Sequence, residues 1–310
     1  MNTEAPKKGL RTVLARIFIA PGERRLRSGW RLVLHFLLGA ILVVLLGVLS
    51  SAGLSLIPEE RRSSMLILAG SQAIAFLAFT LSVVIARRFF DRRSFASLGL
   101  RWNEHALRDI LMGFFIPGLM MGSIYLIEWG AGWLEFEGYA WQFEPLSGVM
   151  IEIFIILGAF IVVSWYEELL SRGYWLQNLS EGLNLFWGVL ISSLLFALLH
   201  LENPHMSAYA GLGLFAAGIF LAYARVRTGQ LWLAMGLHTG WNFFEGTVFG
   251  FSVSGLENPS TLIVQSAAGP ELLTGGAFGP EAGLVLLPAL LLGTVLIYGY
   301  TKSRKIIKPV

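Results

Sequence analysis

Long apolar runs alternate with short polar segments along the whole of this 310-residue chain. A run of about 20 apolar residues is long enough to cross a lipid bilayer as a helix. We interpret about eight runs as membrane-spanning helices: Trp30 to Ile57, Met65 to Ala86, Ile110 to Trp129, Val149 to about Asn178, Leu183 to His200, Ser207 to Ala224, Leu231 to Phe251 and Gly283 to Tyr300. The pattern therefore predicts an all-α polytopic membrane protein.

The composition agrees with this fold class, because 55% of the residues are hydrophobic and only 14% are charged. The chain has no cysteine, which excludes disulfides, thiolate metal ligands and a cysteine nucleophile. We expect no cleavable signal peptide, because the first apolar run is about twice as long as the apolar region of such a peptide.

The basic residues give the topology. With the N-terminus inside, all of the 23 Lys and Arg residues except Arg61 and Arg62 fall on the cytosolic side, as the positive-inside rule requires. We therefore expect both termini in the cytosol, a lipid bilayer as partner and no nucleic-acid partner. The expected organisation is a basic cytosolic arm (1–28), one transmembrane domain (29–301) and a basic cytosolic tail (302–310). Among the outer loops, Ser252 to Glu281 contains several Gly, Pro and Ser residues and is expected to be flexible, without a site.

The fourth apolar run contains the charged residues Glu167, Glu168 and Arg172. A charge near the middle of a membrane helix costs roughly 2.5 to 3.5 kcal/mol and indicates a functional residue. Glu168 and Arg172 are four residues apart, so they share a helix face and are expected to form an ion pair. Glu167 is rotated by about 100° from Glu168 and is left free to address the helix bundle.

Polar residues also interrupt two later runs. His200 ends the fifth run, and His238 and Asn242 are four residues apart in the seventh, so they share one helix face. Convergence of these residues with Glu167 requires either a tilted or displaced fifth helix or a fourth helix that runs on to about Asn178, and we expect the second.

A carboxylate and two imidazoles in a partly dry cavity can activate water for attack on a carbonyl. Glu167 is the expected general base, and His238 and Asn242 are expected to donate hydrogen bonds to the developing oxyanion. His200 orients the water or stabilises the same intermediate. Hydrolysis of a peptide bond is the reaction that suits this set best.

Each of these residues also has a purely structural interpretation. His200 alone is typical of an interfacial residue, His238 with Asn242 of a hydrogen-bonded pair between helices, and the two glutamates of a solvated helix end. Two other functions use the same residues: a proton-coupled transporter with a relay through Glu167, His200 and His238, and a catalytically silent membrane scaffold or immunity factor.

Three motifs stand in order in the sequence: Glu167-Glu168-Leu-Leu-Ser-Arg172, Phe196-Ala-Leu-Leu-His200 and His238-Thr-Gly-Trp-Asn242. In these motifs the chain resembles the CAAX prenyl endopeptidases and their bacterial relatives, the CAAX proteases and bacteriocin-processing enzymes, also called the CPBP or Abi family. The resemblance covers roughly Val149 to Phe244, the CAAX-protease-like core 149–244.

The resemblance implies an intramembrane endopeptidase with its active-site cavity inside the helix bundle. It implies that Glu167 activates water with His200 as its partner, that His238 and Asn242 form the oxyanion site, and that Glu168 and Arg172 support them. Because the family is often labelled metalloprotease, zinc is a candidate cofactor, with Glu167, His200 and His238 as its candidate ligands. Structures of the family are better explained by glutamate activating water without a metal, so the metal stays open.

The substrate expected from this resemblance is a peptide or the tail of a membrane protein, because the sequence has no recognisable prenyl-binding signal. For a bacterial source, the expected location is the inner (plasma) membrane.

Overall fold

The computed structural model of the chain describes residues 17–23, 25–59, 64–258 and 260–304. Residues 1–16 of the expected basic arm and 305–310 of the expected basic tail therefore lie outside the described part. The helices, in chain order, are α1 (Ser28–Ser55), α2 (Ser64–Ile85), α3 (Ala106–Gly130), α4 (Leu146–Glu168), α5 (Leu176–Gly182), α6 (Leu185–Leu198), α7 (Ala208–Thr228), α8 (Trp232–Asn242), α9 (Glu271–Thr274) and α10 (Leu286–Thr301).

Five helices within the described residues are long and apolar enough to cross a membrane: Ser28–Ser55, Gly70–Phe90, Ala106–Gly130, Leu146–Gly182 and Ala208–Thr228. The chain is thus a mostly helical, multi-pass membrane protein, but the expected number of eight spans is not confirmed. The apolar helices α6 and α10 have only 14 and 16 residues. A 14-residue helix rises about 21 Å, which is less than the roughly 30 Å of a bilayer core. The Asn184 side chain caps the start of α6 by accepting from the Trp187 N–H.

The expected long fourth helix is confirmed. Helices α4 and α5 are joined without a break by a π-helical segment, Leu169–Trp175, so that one helix runs from Leu146 to Gly182. Two further π-helical segments are Ala86–Phe90, which follows α2, and Phe243–Val248, which follows α8 directly. Segments of π-helix are frequent at functional sites. The segments after α4 and α8 begin directly after Glu168 and Asn242, two residues that the sequence singles out.

Helices α3 and α8 pack with their backbones almost in contact. A Cβ atom at Gly236 would overlap the carbonyl oxygen of Ile110, and one at Gly240 would overlap that of Phe114. Small residues allow membrane helices to approach this closely. The two glycines flank His238, so the packing fixes the position of the helix that carries it.

The part of the chain outside the long helices is more structured than expected. Strand β1 (Leu134–Tyr139) pairs antiparallel with strand β2 (Ile263–Ala267), with Leu134 opposite Ala267. The segment Ser252 to Glu281, expected to be a flexible loop, contains β2 and the short helix α9. The all-α description therefore needs this small sheet added. The sequence did not predict it, because strand pairing between segments so far apart in sequence leaves little local signal.

A buried carboxylate anchors the far end of the long fourth helix. Asp91 accepts hydrogen bonds from Arg31 at 3.0 Å, from Arg87 at 2.6 Å and from the Tyr174 hydroxyl at 3.3 Å. Its side chain is fully buried, so the two arginines offset a charge that would be costly alone. The network joins α1 and the segment after α2 to the π-helical segment that carries Arg172.

The α3–α8 contact predicts the effect of one added methyl group. Gly240→Ala is expected to lower the stability by about 1–3 kcal/mol, because the new Cβ overlaps the Phe114 carbonyl and forces the helices apart. Thermal unfolding of the purified protein in detergent measures this. Gly158→Ala is the matched control, since nothing lies within 4 Å of its Cβ position. Equal melting temperatures for both variants would contradict the close contact.

Candidate active site

The two adjacent glutamates have different surroundings. They are the last two residues of α4, at the point where the helix changes to π-helical geometry. The Glu168 side chain is completely buried, whereas 12% of the Glu167 side chain is exposed. The sequence predicted this separation from the rotation of one residue about the helix axis.

Glu168 forms the ion pair that its spacing from Arg172 predicted. The Arg172 Nη1 donates to Glu168 Oε1 at 2.7 Å, and Nη2 donates to the backbone oxygen of Gly218 in α7 at 3.2 Å. The guanidinium also lies 4.2 Å from the centre of the Phe196 ring. Helix α4 is thereby tied to both α6 and α7.

Glu168 also contacts His238, which sequence spacing did not predict. The distance between His238 Nδ1 and Glu168 Oε1 is 2.9 Å. Because a carboxylate only accepts hydrogen bonds, Nδ1 carries a proton. This contact fixes the orientation of the imidazole, whose other nitrogen, Nε2, lies 3.7 Å from Glu167 Oε2.

His200 approaches Glu167 from the end of a different helix. It lies in the turn that follows α6, and its Nδ1 is 3.0 Å from the Phe196 backbone oxygen. That oxygen can only accept, so Nδ1 donates and Nε2 is left without a proton in the neutral ring. His200 Nε2 lies 3.9 Å from Glu167 Oε2. The Phe196 ring packs against both imidazoles, with ring centres 4.9 Å and 6.0 Å away.

Glu167 is thus a carboxylate between two imidazoles. Its Oε2 atom is buried and has no direct hydrogen-bond partner within the described residues. The distances of 3.7 and 3.9 Å are too long for direct hydrogen bonds. They match the separation of about 4 Å between two groups that hydrogen-bond the same water molecule. The geometry therefore suits a water molecule held by Glu167 and the two histidines.

Asn242 is the last residue of α8 and lies one helical turn after His238, on the same face. Its side chain is buried. The structure therefore brings Glu167, His200 and His238 together, with Glu168 and Arg172 behind them. The catalytic and supporting roles given to these residues and to Asn242 stay predictions.

The candidate zinc ligands lie somewhat farther apart than the ligands of one tetrahedral zinc ion. Zinc binds nitrogen and oxygen at about 2.0–2.2 Å, which places two tetrahedral ligand atoms about 3.3 Å apart. Glu167 Oε2 is farther than this from both imidazole nitrogens. In the part of the chain that the structure describes, no group of three or more His, Asp or Glu residues is arranged to hold a metal ion. The side chains as placed do not form a closed zinc site; zinc stays a prediction, and the reaction proposed below is derived without a metal.

The structure adds residues that the sequence did not single out. The Glu281 carboxylate accepts from the Trp241 indole N–H at 3.1 Å and from the Ser254 hydroxyl at 2.5 Å. Glu245, one turn beyond Asn242, is fully buried as well. Trp241 could have been noticed, because it lies inside the third motif. Glu281 lies in a loop that contains Gly and Pro and has no local feature that connects it with the motifs.

Residues 149–244 match the family model described as Type II CAAX prenyl endopeptidase Rce1-like. The resemblance that the three motifs indicated is therefore confirmed for this segment, which holds Glu167, Glu168, Arg172, His200, His238 and Asn242.

Two proteins of Bacillus subtilis (strain 168) are similar to the chain. "Uncharacterized protein YyaK" is 28% identical over 169 residues, which are 52% of this chain and 54% of that protein. "Putative membrane peptidase YdiL" is 24% identical over 212 residues, which are 66% of this chain and 79% of that protein. The match spans about half the length of YyaK. No solved structure gives a significant match. Both the matching family model and YdiL are described by their names as peptidases.

The buried ion pair predicts a compensation between two substitutions. Arg172→Met is expected to cost about 3–5 kcal/mol of stability, because it leaves Glu168 buried without its arginine. The double variant Glu168→Gln, Arg172→Met removes both charges and is expected to recover most of this loss. Thermal unfolding of both proteins in detergent measures the difference. A double variant no more stable than Arg172→Met would show that the pair is not the source of the loss.

Proposed function

We propose that this chain is an intramembrane endopeptidase in which Glu167 activates a water molecule for attack on a peptide bond. One observation carries the proposal: a buried carboxylate oxygen without a direct partner among the described residues lies 3.7 Å and 3.9 Å from the Nε2 atoms of two histidines, one in α8 and one in the turn after α6. The family match of residues 149–244 supports it.

In the proposed first step, Glu167 accepts a proton from the water while the water oxygen forms a bond to the peptide carbonyl carbon. The π electrons of the carbonyl move to its oxygen, which becomes an oxyanion. His200 Nε2 has a free lone pair and accepts a hydrogen bond from the same water, because its Nδ1 proton is already held by the Phe196 carbonyl. The water is thus oriented before it reacts.

His238 and Asn242 stabilise the oxyanion in this proposal. Donation from His238 Nε2 requires that the ring carries both protons, since Nδ1–H is used by Glu168. The carboxylates of Glu167 and Glu168 flank the ring and stabilise its positive charge. In the second step the carbon–nitrogen bond breaks, and Glu167 returns its proton to the leaving nitrogen. The products are a carboxylate terminus and an amine terminus.

The proposed substrate is a peptide or the tail of a membrane protein that enters from the cytosolic side. The proposed location is the bacterial inner membrane with both termini in the cytosol, which rests on the distribution of Lys and Arg along the sequence. The transporter and scaffold alternatives use the same residues but predict no peptide cleavage, so an assay of cleavage separates them.

Glu167→Gln keeps the size of the side chain but removes the base. It is expected to lower kcat about 100- to 10,000-fold, the usual range for loss of a general base. The assay uses purified protein in detergent with a quenched-fluorescent peptide library. Glu152→Gln is the matched control, since Glu152 lies on the same helix about four turns earlier. Equal cleavage by wild type and Glu167→Gln would refute the proposal.

The same assay in the presence of a chelator tests the metal requirement. Unchanged activity is expected if Glu167 activates water without a metal. Activity that is lost with chelator and restored by added zinc would overturn the metal-free mechanism and leave the peptidase function intact.

Asn242→Ala removes a proposed oxyanion donor. We expect kcat for the best-cleaved library peptide to fall about 100- to 1,000-fold with KM little changed, because the hydrogen bond forms only as charge develops. Steady-state kinetics measure both parameters. A rise in KM with unchanged kcat would place Asn242 in substrate binding instead of oxyanion stabilisation.

A further inference from the structure

A chain of hydrogen bonds that runs through Asn203, Ser254 and Glu281, all outside the three motifs, links the segments that hold the two histidines. The Asn203 N–H donates to the His200 carbonyl at 3.0 Å, and the Asn203 side-chain amide donates to the Ser254 carbonyl at 2.8 Å. The Ser254 hydroxyl donates to Glu281 Oε2, and the Trp241 indole N–H donates to Glu281 Oε1. Trp241 stands beside Asn242 and three residues after His238. The chain of bonds thus runs from the turn that holds His200 to the helix that holds His238.

Glu281 is the centre of this chain of hydrogen bonds, which we call the bridge. Its side chain is buried, and each of its oxygens accepts one hydrogen bond. The neighbouring Glu245 is also buried, but neither of its oxygens accepts a hydrogen bond within the described part of the chain. Hydrogen bonds to a carboxylate favour its charged form, and the Trp241 and Ser254 donors act on Glu281 in this way.

Glu281 lies close enough to the two histidines of the site for their charges to interact. Burial raises the pKa of the Glu281 carboxyl, whereas the Ser254 hydrogen bond and the charges of His200 and His238 act in the opposite direction. Glu281 lies outside residues 149–244, the segment that matches the family model.

The backbone around the bridge is tightly held. Ser254 has a φ of 49°, an unusual value for a residue other than glycine, which persists only where the surroundings fix it. A Cβ at Gly255 would overlap the Pro204 carbonyl oxygen, and a Cβ at Gly213 would overlap that of Glu281. The loop therefore packs directly against α7 and against the segment that follows His200.

We propose that Glu281 is a positioning residue for the active site, which holds Trp241 and Ser254 so that His200 and His238 keep their places around Glu167. The loop that carries it is, in this view, a part of the active-site structure. The inference rests on the proposed peptidase function, since positioning has a meaning only for that reaction.

The test compares Glu281→Gln, Trp241→Phe and the double variant in the peptide-cleavage assay. Each single variant is expected to lower kcat about 10- to 100-fold with KM within about threefold of wild type, because a small displacement of the histidines slows the reaction. The double variant is expected to be no slower than the slower single variant, since both remove the same bond. Glu257→Gln is the control: Glu257 is exposed on the same loop and should behave as wild type.

A second measurement does not depend on activity. Hydrogen–deuterium exchange of Glu281→Gln is expected to rise in residues 199–206 and 252–256, and to stay unchanged in α1. Unchanged kcat together with unchanged exchange would overturn the inference, and so would multiplicative losses in the double variant. If instead Glu167→Gln cleaves as well as wild type, the proposed function fails. Increased exchange in Glu281→Gln would then still show that Glu281 holds these segments, but not that it positions catalytic residues.

Discussion

The arrangement depends on one buried charge, the carboxylate of Glu168. It is completely buried and is stabilised by Arg172 at 2.7 Å and His238 at 2.9 Å. A buried charge with such partners is tolerable, whereas the same charge with one partner removed costs several kcal/mol. Since Arg172 also bonds to Gly218 of α7, the pair connects α4, α7 and α8. The contacts that stabilise the Glu168 charge therefore bring Glu167 and His238 close together.

The helices are shaped around this charge. Close packing at Gly236 and Gly240 sets α8 against α3, and the Asp91 network holds the far end of the long helix that contains Glu167. Both helices with proposed site residues change to π-helical geometry directly after Glu168 and after Asn242. Arg172 and Glu245 lie within these two segments.

Local spacing predicted much of the site. Residues four apart on one helix gave the Glu168–Arg172 pair, and rotation about the axis separated Glu167 from Glu168. Contacts between helices had no such signal: the Glu168–His238 bond and the Glu281–Trp241 bond join residues 70 and 40 positions apart. The number of spans was predicted less well, because hydropathy marks apolar helices whether or not they are long enough to cross the membrane, as α6 shows. The β1–β2 pairing was missed for the same reason as the two long-range bonds.

The central claim is that a peptide bond is hydrolysed between Glu167 and the two histidines. A cryo-electron microscopy structure of the Glu167→Gln variant with its best-cleaved peptide tests this most directly. The account predicts the scissile carbonyl beside residue 167, with its oxygen about 3 Å from His238 Nε2 and the Asn242 amide. A peptide whose scissile bond lies away from these residues would contradict it.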